Sequence, residues 1–99
     1  MSQDELLRVF SRVAAQRQNL TRPDYVFKEE CSSYDELVER AQKALGIDLE
    51  EFKVGDKHLS PNGRVHYADA VRALMDGLLN YLSTMIPAQD VQRIGFHPT

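Results

Sequence analysis

The fold is decided by residues 64–86, RVHYADAVRALMDGLLNYLSTMI, in which apolar side chains recur at the three- and four-residue spacing of a helix. At about 100° per residue, the apolar positions fill an arc of roughly 200°. A helix that packs only one side on a core needs a stripe of little more than about 100°. The stretch therefore predicts one long helix that is covered on two or more sides, by other helices or by a second subunit.

The same arc supplies the predicted contact residues of this helix, which are Tyr67, Val71, Leu74, Leu78, Tyr81 and Met85. Three short partner segments would have to cover about 34 Å of helix. Any length left uncovered would form an apolar patch of the kind that marks an interface. Two-fold symmetry is the commonest closed solution, so the sequence predicts a homodimer.

Length and composition favour a small globular domain. The chain has 99 residues, 42% of them hydrophobic and 27% charged, which suits one domain over residues 1–99. No apolar run approaches the length of a membrane span, and the amino terminus lacks the pattern of a signal peptide. The single cysteine, Cys31, excludes an intrachain disulfide and favours the cytoplasm.

Charge is unevenly distributed along the chain. The formal net charge is −3, yet residues 29–51 contain eight acidic and two basic residues. A solvated helix face is the commonest reason for such an acidic block, and attraction of a partner is the alternative. Neither end is basic enough to indicate general nucleic-acid binding.

A first helix and a following turn are predicted near the amino terminus. Ser2 and Glu5 have the spacing of a capping box, and the helix should end near Asn19, before turn residues 21–24. Residues 25–27, YVF, favour a short strand or an extended segment on the core. If a minimal two-stranded ribbon forms, residues 52–54 are the best candidate in the sequence to pair with residues 25–27.

A second helix is indicated by several local signals. Ser33 and Glu36 predict its start, and Gly46 predicts its end. Its expected buried face consists of Tyr34, Leu37, Val38, Ala41 and Leu45, and its expected ion pairs are Glu36–Arg40 and Glu39–Lys43.

Shorter elements complete the chain. Asp48 and Glu51 predict a helix of one or two turns through Phe52. Ser60-Pro61 would cap the long helix, while a turn at Asn62-Gly63 would delay it to Arg64. Pro87 should end it, and residues 88–94 should form a last short helix that stops at Gly95.

No catalytic or metal-binding pattern is found. His58, His66 and His97 are scattered, and none has the spacing of a zinc half-site. His66 and Asp69 are expected to be surface neighbours one turn apart, and Asp69, Arg72 and Asp76 a surface charge ladder. Cys31 should precede the cap of the second helix, where Glu29 and Glu30 oppose activation of the thiol. The sequence predicts a protein that is not an enzyme and needs no cofactor or metal.

Two features keep DNA binding open as an alternative. Residues 86–99 have the form of the first helix and turn of a helix-turn-helix, but the chain stops where a recognition helix would begin. The first helix also carries Arg8, Arg12 and Arg17, which could contact phosphate.

The sequence therefore predicts an all-α fold, a small helical bundle around one long C-terminal helix, with a minimal two-stranded ribbon left open. The predicted function is protein–protein interaction, as an adaptor, inhibitor or assembly component that self-associates. A DNA-binding regulator is the second candidate.

Overall fold

The described part of the chain forms four α-helices, a short 3-10 helix and two short strands. The computed structural model describes residues 3–57 and 59–95. The elements follow in the order α1 (Gln3–Gln18), β1 (Tyr25–Phe27), α2 (Lys28–Leu45), the 3-10 helix (Glu50–Phe52), β2 (Val65–Tyr67), α3 (Ala68–Ser83) and α4 (Ala88–Ile94). The fold is mostly helical, as predicted, and the two-stranded ribbon that the sequence left open forms as a small antiparallel sheet.

The two strands pair in a register that the sequence did not reveal. Tyr25 lies opposite Tyr67, Val26 opposite His66, and Phe27 opposite Val65. The prediction that residues 52–54 pair with residues 25–27 is wrong. Those residues leave the 3-10 helix into a loop, and the backbone N–H groups of Val54 and Gly55 donate to the carboxylate of Asp35 instead.

The predicted long helix is wrong in its bounds. Gly63 adopts φ 71°, and its N–H donates to Ser60 O at 2.9 Å, so a turn precedes β2. Ser60 N–H in turn donates to Val65 O at 2.8 Å. The Asn62-Gly63 turn is thus confirmed, but it leads into a strand. The helix begins at Ala68 and ends at Ser83.

The C-terminal part of the chain holds two helices, as expected, but the first ends at Ser83 and not at Pro87. After α3, Thr84 N–H donates to Tyr81 O and Met85 N–H to Leu82 O, which tightens the chain into a turn. Pro87 is the N-cap of α4. The predicted short helix and its stop are confirmed, because α4 ends at Gly95 with φ 85°.

Helix α2 begins earlier than its local signals predicted. Its N-cap is Phe27, whose N–H donates to the Glu30 carboxylate, so Ser33 lies inside the helix and the predicted cap is wrong. The stop at Gly46 is confirmed, with φ 68°. Arg40 donates to Glu5 on α1, and Glu39 pairs with Lys53, instead of the predicted partners within the helix.

The core lies between α1, α2 and α3. Helix α3 contacts α1, both strands and the 3-10 helix, and Leu78 at its centre is fully buried. Helix α1 ends at Gln18, as predicted, while its predicted Ser2 cap lies outside the described residues. The largest buried side chain is Tyr34, whose hydroxyl donates to Phe52 O at 2.8 Å and so ties the 3-10 helix to α2.

Candidate interaction surface

Three aromatic side chains project from the outer side of the sheet. Alternation along a strand sends Val26 and His66 into the core and their neighbours outward. Tyr25, Phe27 and Tyr67 are 39%, 42% and 52% exposed, and Tyr25 and Tyr67 are cross-strand partners. We call Tyr25, Phe27 and Tyr67 the aromatic face.

Arg22 holds two of these rings in place. Its guanidinium carbon lies 4.4 Å from the ring centre of Phe27 and 5.3 Å from that of Tyr25. The two rings meet edge to face, with centres 5.4 Å apart. Arg22 also forms an ion pair with Glu30. Two of the exposed rings are therefore ordered against a fixed cation before any partner arrives.

Backbone groups at the edges of the sheet already have partners within the chain. At β1, Phe27 N–H donates to Glu30 at 3.3 Å, and Tyr25 O accepts from Arg22 at 3.5 Å. At β2, Val65 O accepts from Ser60 N–H, and Leu59 forms a bridge with His66. Addition of a further strand would have to displace these contacts, so the side-chain face is the more available surface.

A shallow groove runs beside the aromatic face, between the start of α2 and the turn before β2. It is lined by Tyr25, Phe27, Lys28, Glu29, Asn62, Gly63, Arg64 and Val65. Two cations lie beside its aromatic wall. The backbone N–H of Arg64 donates to Asn62 at 3.0 Å, but the charged side-chain groups of Lys28 and Arg64 have no hydrogen bond or ion pair with any residue that the structure describes. We call this feature the groove.

His66 lies in the core beneath the sheet, so the predicted surface pair with Asp69 is wrong. The Nδ1–H of His66 is placed to donate to Lys57 O at 2.7 Å, and the buried Nε2 has no partner within the described part of the chain. Asp69 instead pairs with Arg72 at 3.2 Å, and Arg72 also donates to the carbonyl oxygens of Arg22 and Pro23. The third member of the predicted ladder, Asp76, accepts from Arg17.

The predicted interface residues do not share one surface. Val71 and Leu78 are fully buried in the core of the single chain, and Leu74 and Met85 are partly buried. Tyr67 and Tyr81 are exposed, but Tyr81 stacks on Phe52 at 6.0 Å and is not part of the sheet. Tyr67 alone of the six belongs to the aromatic face.

The features considered for DNA binding are dispersed. Arg17 is engaged by Asp76 through two hydrogen bonds of 2.8 and 3.3 Å, whereas Arg8 and Arg12 are exposed on α1. In the C-terminal half-motif, Val91 is buried as predicted. Residues 96–99, where a recognition helix would start, lie outside the described part of the chain.

Cys31 is buried inside α2, not ahead of its cap. Burial, followed by the nearby carboxylates of Asp35 and Glu30, raises the pKa of its thiol from 9.0 to about 12. The group is therefore protonated at neutral pH and has the character of a small apolar core residue.

The described residues bring no three metal-ligating side chains together. His58 and His97 lie outside those residues. Among the described helices, none combines the length and the apolarity that a membrane crossing requires.

The sequence predicted residues 25–27 as a short strand or an extended segment on the core. The strand is confirmed, but the exposure of Tyr25 and Phe27 on its outer side was missed. The available signal was the alternation of aromatic, valine and aromatic residues, with Arg22 just before it. Comparison of the chain with models of known protein families, with curated proteins and with solved structures found no match.

Proposed function

We propose that the protein is a protein–protein interaction module that binds its partner through the aromatic face. The observation that carries this proposal is the joint exposure of Tyr25, Phe27 and Tyr67 on one side of the sheet. Rings on short, tethered strands offer a large apolar contact area at a small cost in conformational entropy. Aromatic residues are also the type that is enriched at interface hot spots.

The charges around the aromatic face favour a protein over a nucleic acid. Arg22, Lys28 and Arg64 are near the exposed rings, but Asp24, Glu29 and Glu30 are interspersed with them in the same stretch of chain and groove. The chain as a whole carries −3. Binding to a phosphate backbone depends on an excess of positive charge, which is lacking at this surface.

The proposal is tested by cross-linking from a defined position in the native cell. A photoreactive phenylalanine derivative replaces Tyr67 in one variant and Ala73 in a control variant, where Ala73 is exposed on α3 outside the aromatic face. We expect a discrete protein adduct from position 67 and none of the same mass from position 73.

A second substitution makes the test specific for the aromatic face. Phe27→Ser removes one ring and leaves a residue type that is favoured at an N-cap, so α2 keeps its start. This change should abolish the adduct from position 67. A protein adduct that survives it, an equal yield from position 73, or a nucleic-acid adduct from position 67 would each contradict the proposal.

A further inference from the structure

An acidic, partly apolar corner lies at the end of α2 that is remote from the groove. Directly after Gly46, Ile47 is 37% exposed, and the side chains of Asp48, Glu50 and Glu51 are exposed as well. Glu50 pairs with Lys53 at 2.8 Å. The Glu51 carboxylate has no partner among the residues that the structure describes. We call residues 47–51 the acidic corner.

One exposed stripe of α2 joins the two features. Glu29 lines the groove, and exposed residues then follow at helical spacing as far as the acidic corner: Ser33, Glu36, Glu39 and Lys43. The helix of 18 residues spans about 27 Å. The groove and the acidic corner therefore lie at opposite ends of the same helix, on the side that faces solvent.

Their charge and apolar character are complementary. The groove offers two unpaired cations beside the rings of Tyr25 and Phe27, whereas the acidic corner offers carboxylates beside exposed Ile47. The acidic corner therefore has a match in charge and in apolar character on a second copy of the chain.

We propose that two copies associate about a two-fold axis with their α2 helices antiparallel, so that the acidic corner of each copy binds the groove of the other. The antiparallel register sets Lys28 of one copy opposite Asp48 of the other. Because the groove and the acidic corner share one stripe, both contacts form at once and the assembly closes at two subunits. This inference rests on the proposed function, since Tyr25 and Phe27 line the groove.

The small contact area indicates a weak dimer. The exposed stripe is about 27 Å long and about 10 Å wide, so its area is well below the roughly 800 Å² that each partner buries in a stable complex. The dimer is therefore weak and depends on its charged contacts. Sedimentation equilibrium from about 10 µM to about 1 mM covers the relevant range.

Two charge-reversal variants and a control provide the test. The groove variant is Lys28→Glu with Arg64→Glu, and the corner variant is Asp48→Lys with Glu51→Lys. The control, Arg8→Glu with Arg93→Glu, makes the same charge change as the groove variant at exposed positions on α1 and α4. Far-ultraviolet circular dichroism of each variant establishes that the helices are retained.

As the protein concentration increases, we expect the apparent mass of the wild type and of the control to increase from that of one chain, 11.3 kDa, toward twice that mass. In about 1 M salt, where the screening length is about 3 Å, both dimers should dissociate. Each reversed variant alone should stay at the mass of one chain. An equimolar mixture of the groove and corner variants should recover the dimer, because both of its contacts are again between opposite charges.

Several results would overturn this inference. They are a wild type that is monomeric throughout, a groove variant that dimerises as well as the wild type, a mixture that stays monomeric, and a mass that grows beyond two chains. A monomeric wild type that still gives an adduct with a different protein from position 67 would refute the dimer and leave the proposed function standing.

Discussion

Asp35 shows how much of the loop after α2 depends on one side chain. Its two carboxylate oxygens accept the N–H groups of Val54 and Gly55 at 2.7 and 2.8 Å, which fixes the chain as it leaves the 3-10 helix. The sequence suggested only that Asp35 favours the positive end of a helix dipole. The two backbone donors lie 19 and 20 residues further along the chain, and a local sequence pattern carries no information about such a contact.

We predict that Asp35→Asn lowers the free energy of unfolding by about 1 to 3 kcal/mol, because an amide supplies one oxygen acceptor where two backbone donors need one each. Urea denaturation measures the change. Glu36→Gln, at an exposed neighbouring position, is the matched control and should stay within about 0.5 kcal/mol. Equal midpoints for the two variants would show that the carboxylate does not hold the loop.

The buried thiol of Cys31 makes stability depend on alkaline pH. Its pKa is 9.0 in the unfolded chain and about 12 in the folded chain, where burial disfavours the thiolate. Between these values the folded chain binds more protons than the unfolded chain, so stability falls as pH rises through this window. At neutral pH, well below 9.0, both states hold the proton and the thiol contributes no dependence on pH.

The free energy of unfolding should therefore fall less between about pH 8 and about pH 10 in Cys31→Ala than in the wild type. At any one pH the variant should be less stable than the wild type, because a core atom is removed. Urea denaturation of both proteins at the two pH values gives the slopes. Burial also raises the pKa of Tyr34, so part of the fall should remain in the variant. If the slopes of the two proteins agree, Cys31 ionises as freely in the folded chain as in the unfolded one.

At the scale of elements, the ends of α2 and α4 were predictable, but the starts of α2 and α3 were not. Gly46 and Gly95 stop α2 and α4 in left-handed conformations, which few other residues adopt readily. The starts of α2 and α3 both follow directly from a strand, at Phe27 and Tyr67. A strand forms through pairing with a segment that is distant in sequence. The start of α2 is therefore set by the end of β1 at Phe27, and the local capping signal at Ser33 does not determine it.

The two alternative starts of α2 make opposite predictions. Glu30→Ala should cost about 0.5 to 2 kcal/mol, because the Glu30 carboxylate accepts the N–H of the observed N-cap, Phe27. Ser33→Ala should stay within about 0.5 kcal/mol, because Ser33 is exposed and its hydroxyl accepts a hydrogen bond from the side-chain amide of Gln16 and caps no backbone N–H group. Urea midpoints decide between them. A larger loss for Ser33→Ala would restore the start that the sequence indicated.

At the scale of the whole molecule, the predicted arc of the long helix combined two elements. Val65 and Tyr67 belong to β2, and only the residues from Ala68 onward are helical. Strand β2 is held in place by a segment that is distant in sequence. Ala68 N–H donates to Asp24 O at 3.1 Å, next to the pairing of β1 with β2. The aromatic face is thus assembled from segments about forty residues apart, which is why only Tyr67 was identified from sequence.

The pairing of β1 with β2 is tested directly by the backbone conformation of residues 64–67 in solution. We expect extended backbone chemical shifts at Val65, His66 and Tyr67, with nuclear Overhauser effects between Tyr25 and Tyr67 and between Phe27 and Val65. Helical shifts that run without a break from Arg64 into α3, with contacts between residues three apart and no cross-strand contact, would contradict it. The aromatic face would then not exist.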